Sequence, residues 1–156
     1  MSHARIADAG APSALSAGFL LDTNVMAALS FEDHEAHVPC LKWFVGIGSF
    51  ALCPLVELGY ARLVMRPEKS GGYGFNARLM LQLLDGFRSD PRCQLLDDRA
   101  EALGAVGWQR VLGHNQVNDA YLLALAMQHQ LRLATLDRGL LSLCAPDQQA
   151  SIHLIH

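Results

Sequence analysis

The feature that most constrains the fold is a short apolar run, Gly18-Phe19-Leu20-Leu21, which ends abruptly at Asp22. A run that is continuously apolar, rather than alternating, predicts a strand buried on both faces. Further strand candidates cover residues 49–53, 93–96 and 131–136, and the last of these ends at Asp137. Residues 152–155 are a candidate for a short edge strand.

Segments with helical periodicity separate these strand candidates. They start at Thr23 and Asn24 and then cover residues 34–45, 54–65, 76–87, 99–112 and 117–129. Pro54 suits the first turn of its helix, and Pro67 with the segment 70–74 is the clearest break in the chain. Strands that alternate with helices predict an α/β domain with a mostly parallel sheet.

Length and composition favour one folded unit. The chain has 156 residues, of which 51% are hydrophobic and 17% charged, which argues against disorder. We expect a single domain over residues 18–156 and a loose extension over residues 1–17, which are rich in Ala, Ser, Gly and Pro. The longest apolar stretch, 120–127, is far shorter than the ~18 residues that a membrane span needs. Four cysteines without zinc-site spacing are typical of reduced thiols in a cytoplasmic protein.

Four acidic residues stand where acids are not expected. Asp22 and Asp137 each end an apolar strand, and Glu57 and Asp119 lie in apolar helical segments. On a helix, neither Glu57 nor Asp119 has a basic residue three or four positions away. A partly buried carboxylate without a partner costs free energy or takes up a proton. We therefore expect compensation either from a distant arginine or from a bound cation.

Parallel topology would bring these acids together, because ligand sites in such sheets lie beyond the carboxyl ends of the strands. Asp22 and Asp137 end strands, while Glu57 and Asp119 begin helices at the same edge. Taken singly, Asp22 could be a helix cap, Asp119 a first-turn acid and Asp137 a turn residue. Together, four carboxylates form a hard oxygen site suited to Mg²⁺ or Mn²⁺.

This ordered set of motifs resembles the PIN domain, and specifically the ribonuclease toxins of bacterial VapBC toxin–antitoxin pairs. The matching segments are Leu20-Leu21-Asp22-Thr23-Asn24-Val25, Leu55-Val56-Glu57-Leu58, Asn118-Asp119-Ala120 and Thr135-Leu136-Asp137. The resemblance implies a three-layer α/β/α sandwich with a mostly parallel sheet. It also implies a Mg²⁺- or Mn²⁺-dependent endoribonuclease that forms a homodimer and is inhibited by a cognate antitoxin.

The resemblance also implies roles for individual residues. The acids Asp22, Glu57, Asp119 and Asp137 match the catalytic, metal-coordinating acids of the family, and four polar residues would support them, Thr23, Asn24, Asn118 and Thr135. Two features depart from the pattern. Gly139 stands where many relatives have a further acid, so a ligand for a second metal ion is missing at that position. In addition, residues 1–17 precede the first strand, which in the family usually begins near the start of the chain.

The charge balance is compatible with an RNA substrate. The formal net charge is −3, but four of the 15 acids are proposed ligands, which leaves 11 acids against 12 basic residues. Arginines bind phosphate through a forked guanidinium. Arg62 and Arg66 are four residues apart, on one face of the helix that carries Glu57, and with Arg138 they are the candidate RNA contacts.

Other interpretations of the acids fit less well. A receiver domain would want a lysine on a late strand, but the only lysines are Lys42 and Lys69. A haloacid-dehalogenase-like phosphatase would want a second aspartate where Asn24 stands. A DNA-acting nuclease of this kind usually has more acids and a longer chain. The main alternative is a non-catalytic PIN-like scaffold that binds RNA or protein.

Overall fold

The structure is a computed structural model that describes residues 18–97, 99, 110–111 and 113–156. The expected extension over residues 1–17 lies outside the described residues, and so does nearly all of the helix predicted over residues 99–112. Within the part of the chain that is described, no helix is both long and apolar enough to cross a membrane.

Five short strands form one sheet in which every pairing is parallel. They are β1 (Phe19–Leu21), β2 (Phe50–Leu52), β3 (Cys93–Leu95), β4 (Arg132–Thr135) and β5 (Ile152–Leu154). Their order across the sheet is β3-β2-β1-β4-β5. This parallel sheet with its helices confirms the predicted α/β fold class.

In the described part of the chain, five α-helices connect the strands. They are α1 (Thr23–Ser30), α2 (His37–Phe44), α3 (Pro54–Met65), α4 (Ala77–Arg88) and α5 (Val117–Gln128). Helices α1 to α4 pack on one another, whereas α5 packs against β1 and β4. Short 3-10 helices cover Glu68–Ser70, His114–Gln116, Arg138–Leu143 and Pro146–Ser151.

The observed bounds differ from the predicted ones mainly at α2. The helix predicted from His34 begins at His37, because the backbone N–H of Ala36 donates to Nδ1 of His34 and closes a local turn. At α4, the side chain of Asn76 accepts the N–H of Leu79 and caps the helix. Side-chain capping of this kind satisfies an otherwise unpaired backbone donor.

Burial explains why the apolar runs are continuous. Leu20, Leu21 and all of β2 are shielded from solvent, as expected for central strands covered on both faces. Helix α5 buries Ala120 and the run 122–126. Because α5 begins at Val117 with Gln116 at the N-cap, Asn118 and Asp119 lie in its first turn, not at its cap. The core therefore fixes both strand ends and the start of α5 at one edge of the sheet.

Candidate acidic active site

Asp22 is the most strongly held of the acids. It is the N-cap of α1, where its Oδ1 accepts the backbone N–H of Thr23 at 2.6 Å. Its Oδ2 accepts the hydroxyl of Thr135 at 2.7 Å. The residue is only 7% exposed, so its carboxylate is fixed in position by contacts on both oxygens.

The hydroxyl of Thr135 connects the ends of β1 and β4. Its Oγ1 accepts the Nδ2 of Asn24 at 3.3 Å and the backbone N–H of Asp137 at 3.1 Å. The amide of Asn24 in turn accepts the N–H of Leu136 at 3.3 Å. With two donors pointing at this oxygen, its own proton is directed to Asp22. Thr135 and Asn24 thus lie in contact with the predicted site, as supporting residues would.

Three of the acids act on one another electrostatically. Burial raises the pKa of Asp22, and the charge of Asp137 raises it further, against the hydrogen bonds from Thr135, Thr23 and Asn24. Burial, then the charges of Asp22 and Asp137, raises the pKa of Asp119 to about 6. The salt bridges among the described residues are Arg88–Glu57 and Arg92–Asp90, so none of these three carboxylates has a described cation as partner.

Asp137 occupies a more open position than Asp22. It caps the 3-10 helix Arg138–Leu143, and its Oδ1 accepts the N–H of Gly139 at 2.7 Å. Arg138 is exposed at the start of that helix. A Cβ added at Gly139 would lie 3.1 Å from Oδ1 of Asp137. The residue at which the chain departs from the family pattern therefore contacts the carboxylate of Asp137 directly.

Glu57 is placed differently from the other three acids. Its Oε1 accepts Nε of Arg88 at 2.7 Å, and its Oε2 accepts Nη2 at 2.8 Å. This is the distant arginine that the sequence left open as one source of compensation. The partner lies 31 residues away on α4, which packs against α3, and no local pattern in the sequence indicates the contact.

A cleft of about 660 Å³ opens beside the acids. Asp22 and Asp119 line it together with Thr23 and Asn118. Arg62 of α3 and Arg66 line it too, but Arg66 is the extended C-cap of α3, so the two arginines do not share one helix face as predicted. Its remaining lining residues are Leu55, Leu58, Gly59, Asn115 and Leu122. Glu57, Asp137 and Arg138 are not among the lining residues. Asn115, which the sequence did not single out, comes from the 3-10 helix that precedes α5.

The donor chemistry of this edge fits a divalent cation. Three mutually repelling carboxylates, which have no cationic partner among the described residues, can supply the hard oxygen ligands that Mg²⁺ and Mn²⁺ take. Among the described residues, however, no three Asp, Glu, His or Cys side chains are gathered closely enough to enclose an ion. Mg²⁺ usually keeps several waters and binds through one or two carboxylates, so a partly gathered set is compatible with it.

Comparison with known proteins identifies the family. The PIN domain family matches residues 19–145 of the chain. Among curated proteins, Ribonuclease VapC29 of Mycobacterium tuberculosis is 34% identical over 122 residues, covering 78% of this chain and 86% of the relative. Ribonuclease VapC38 of the same species is 30% identical over 145 residues, covering 87% and 96%.

Solved structures share the fold at low identity. Mycobacterium tuberculosis VapC20 superposes with a TM-score of 0.58 at 15% identity, covering 79% of this chain and 92% of that one. VapBC2 from Rickettsia felis, bound to a DNA fragment from their promoter, gives 0.57 at 15% identity, covering 88% and 98%. Both the sequence match and the fold lead to one conclusion: the chain belongs to the PIN domain family.

Proposed function

We propose that the protein is a Mg²⁺- or Mn²⁺-dependent endoribonuclease and the toxin of a type II toxin–antitoxin pair. The observation that carries the proposal is the group of Asp22, Asp119 and Asp137, whose charges lack a described cationic partner. Curated relatives at 30 to 34% identity are named as ribonucleases, which supports RNA as the substrate.

Asp22, Asp119 and Asp137 would hold the metal, with Glu57 as the fourth acid that the family resemblance implies. A bound divalent cation supplies a water of lowered pKa and neutralises charge on the phosphate. Thr135 and the backbone N–H of Thr23 hold the carboxylate of Asp22 in one orientation. Asn24 fixes the hydroxyl of Thr135 in turn. This arrangement keeps the ligand oxygens in position before any substrate arrives.

The cleft supplies the substrate contacts. Arg62 and Arg66 line it together with Asp22 and Asp119 and would bind the RNA backbone, with Arg138 as an exposed third candidate. Asn115 and Asn118 present amide groups to the same cleft, and amides both donate and accept hydrogen bonds. An open cleft with cations on one wall suits a single-stranded or looped RNA whose bases are accessible.

The proposed partners follow from the same comparison. A structural neighbour is VapBC2 from Rickettsia felis, and another is FitAcB from Neisseria gonorrhoeae. By analogy, a cognate antitoxin protein would bind this chain, which would act in the cytoplasm as a homodimer. The second candidate function, a non-catalytic PIN-like scaffold, would use the same cleft without cleaving RNA.

Incubation of the purified protein with defined RNAs, in Mg²⁺, Mn²⁺ or EDTA, tests the proposal. We expect cleavage with either metal and none with EDTA. Asp22→Asn should abolish cleavage while leaving the circular dichroism spectrum unchanged. Asp147→Asn is the matched control, because Asp147 is an exposed acid on the last 3-10 helix and should leave cleavage intact. Full activity of Asp22→Asn would contradict the assignment, and absence of cleavage by the wild-type protein would favour the scaffold.

A further inference from the structure

The side of the cleft that α3 provides is mainly apolar. It consists of Leu55, Leu58, Gly59 and Arg62, at positions i, i+3, i+4 and i+7, which lie on one side of a helix. Leu58 is 64% exposed although it lines a cleft. An exposed apolar side chain of this size offers a surface on which the face of an unpaired nucleobase can pack. Arg62, one turn further along, supplies a cation for a phosphate.

The side of the cleft that precedes and begins α5 presents amides. It consists of Asn115, Asn118, Asp119 and Leu122, which have the same spacing because the 3-10 helix that holds Asn115 leads directly into α5. Both asparagines are exposed. Among the described residues, neither of their side chains makes a hydrogen bond. Each amide can therefore both donate a hydrogen bond to a ligand and accept one from it.

Asn24 shows how an amide that supports the site behaves. Its Nδ2 donates to the hydroxyl of Thr135, and its Oδ1 accepts the N–H of Leu136, so both ends of the amide are used within the fold. Asn118, which the sequence grouped with Asn24 as a supporting residue, makes no such contact within the described part of the chain. Its position on the wall of the cleft suits recognition of a ligand instead.

The cleft thus combines three kinds of chemistry in about 660 Å³. This volume lies within the range of about 300–1,000 Å³ that is usual for ligand pockets. Arginines and a metal held by aspartates suit a phosphate, an exposed leucine suits the face of a base, and amides suit the edge of a base. Contacts to phosphate position RNA without reading its sequence, whereas contacts to base edges read it. An unpaired nucleotide offers all three features at once.

We propose that Asn115 and Asn118 are base-reading residues, which hydrogen-bond the edge of one unpaired nucleobase beside the phosphate to be cleaved. The inference rests on the proposed function, because it takes RNA as the ligand. The base packs on Leu58, its edge meets the two amides, and Arg62 binds a phosphate. Leu58 and Arg62 contact features that all nucleotides share, so they contribute affinity. The asparagines alone set the preference for one base.

Cleavage of a library of short, random, single-stranded RNAs separates base reading from general binding. Sequencing of the new ends made by the full-length protein in Mn²⁺ gives the preference at each position around the cut. We expect one position at which the wild type favours one base about 5- to 150-fold. Asn115→Ala combined with Asn118→Ala should reduce that preference to about 2-fold or less, since alanine removes both amides.

Two further variants show whether this effect is specific. Arg62→Gln should slow cleavage of all sequences by the same factor and keep the preference, because phosphate contacts carry no sequence information. Gln149→Ala is the matched control, since Gln149 is an exposed amide on the last 3-10 helix and is not among the residues that line the cleft. It should change neither the rate nor the preference. The asparagine variant should fold, because both asparagines are exposed and alanine favours a helix.

A binding measurement distinguishes this inference from the proposed activity. The same library is captured in Mg²⁺ on the Asp22→Asn variant, with and without the two asparagine substitutions, and the bound RNAs are sequenced. We expect the substitutions to remove the preference from the bound RNAs as well. A preference that survives them, or a wild-type protein that cleaves every sequence alike, would overturn base reading and leave the endoribonuclease intact.

The two remaining outcomes are also decisive. Bound RNAs whose preference depends on the asparagines, without cleavage by the wild type, would support base reading and overturn the nuclease. A protein that neither binds nor cleaves RNA would overturn both.

Discussion

The hydroxyl of Thr135 and the carboxylate of Asp22 share a 2.7 Å hydrogen bond although 113 positions separate the two residues in the chain. The bond exists because β1 and β4 are adjacent and parallel, with Leu21 opposite Ala134. The backbone N–H of Asp22 also donates to the carbonyl of Ala134 at 3.0 Å. Strand pairing therefore carries Thr135 to the first proposed metal ligand.

Removal of this hydroxyl should weaken both the fold and the site. Thr135 is fully buried, and Thr135→Val would leave a carboxylate, an amide and a backbone N–H without their partner. We expect a loss of about 1–3 kcal/mol in the free energy of unfolding, measured by urea denaturation. Thr135→Ser keeps the hydroxyl and should recover most of the loss. Equal stability of the Val and Ser variants would show that the hydrogen bonds do not contribute.

The raised pKa of Asp119 predicts an unusual dependence of stability on pH in metal-free protein. The unfolded state loses this proton near the ordinary pKa of 3.8, while the folded state holds it up to about pH 6. Between these values the folded state binds more protons, so stability falls as pH rises. The aspartate thus destabilises the fold above about pH 6.

Asp119→Asn should for that reason stabilise the metal-free protein at pH 8. We expect a gain of about 1 kcal/mol, allowing for solvent screening of a partly exposed group. The gain should vanish below about pH 4, where both states are protonated. Urea denaturation across this pH range measures it, and a gain that does not change with pH would contradict the electrostatic origin.

A close approach of α3 to α1 makes Gly59 sensitive to substitution. A Cβ at Gly59 would lie 2.7 Å from Oγ1 of Thr23, the residue that follows Asp22. Gly59→Ala should lower the melting temperature, although alanine alone favours a helix by about 1 kcal/mol over glycine. The double variant with Thr23→Ala removes the obstructing atom and should regain stability. A melting temperature of Gly59→Ala above that of the wild type would show that α1 shifts to accommodate the added methyl group without loss of stability.

The arginines of the cleft should contribute to substrate affinity more than to chemistry. Arg62→Gln with Arg66→Gln removes two positive charges from the wall of the cleft. We expect KM for RNA cleavage to rise about tenfold with little change in kcat. A plot of the logarithm of RNA affinity against the logarithm of salt concentration has a negative slope. Its magnitude should fall by about 0.7 for each phosphate that the variant no longer neutralises. Arg78→Gln, on α4, is the control. An unchanged KM would place RNA binding elsewhere.

Several features were accessible from the sequence because they depend on local pattern. The continuous apolar runs predicted buried parallel strands, and the aspartates that end them were correctly placed at strand ends. Pro54 marked the start of α3, and the segment after Pro67 marked its end. The motifs around these acids also identified the family, which the match over residues 19–145 confirms.

Other features depend on the rotation and packing of whole elements, which no local pattern specifies. The sequence placed Glu57 in the first turn of α3, but burial of Val56, Tyr60 and Val64 sets the rotation of the helix at which its side chain meets Arg88 on α4. Strand order likewise decided that Thr135 and Asn24 meet Asp22.

The fold class, the family and the acids at the ends of β1 and β4 could thus be predicted from the sequence, because hydrophobic periodicity and short motifs are local properties. The packing of strands and helices sets which acids act on one another. Asp22, Asp119 and Asp137 lie close enough to repel one another, whereas Glu57 is neutralised by an arginine from another helix. The physical reason is that side-chain electrostatics are set by distances across the packed core, and those distances are fixed only when the elements pack.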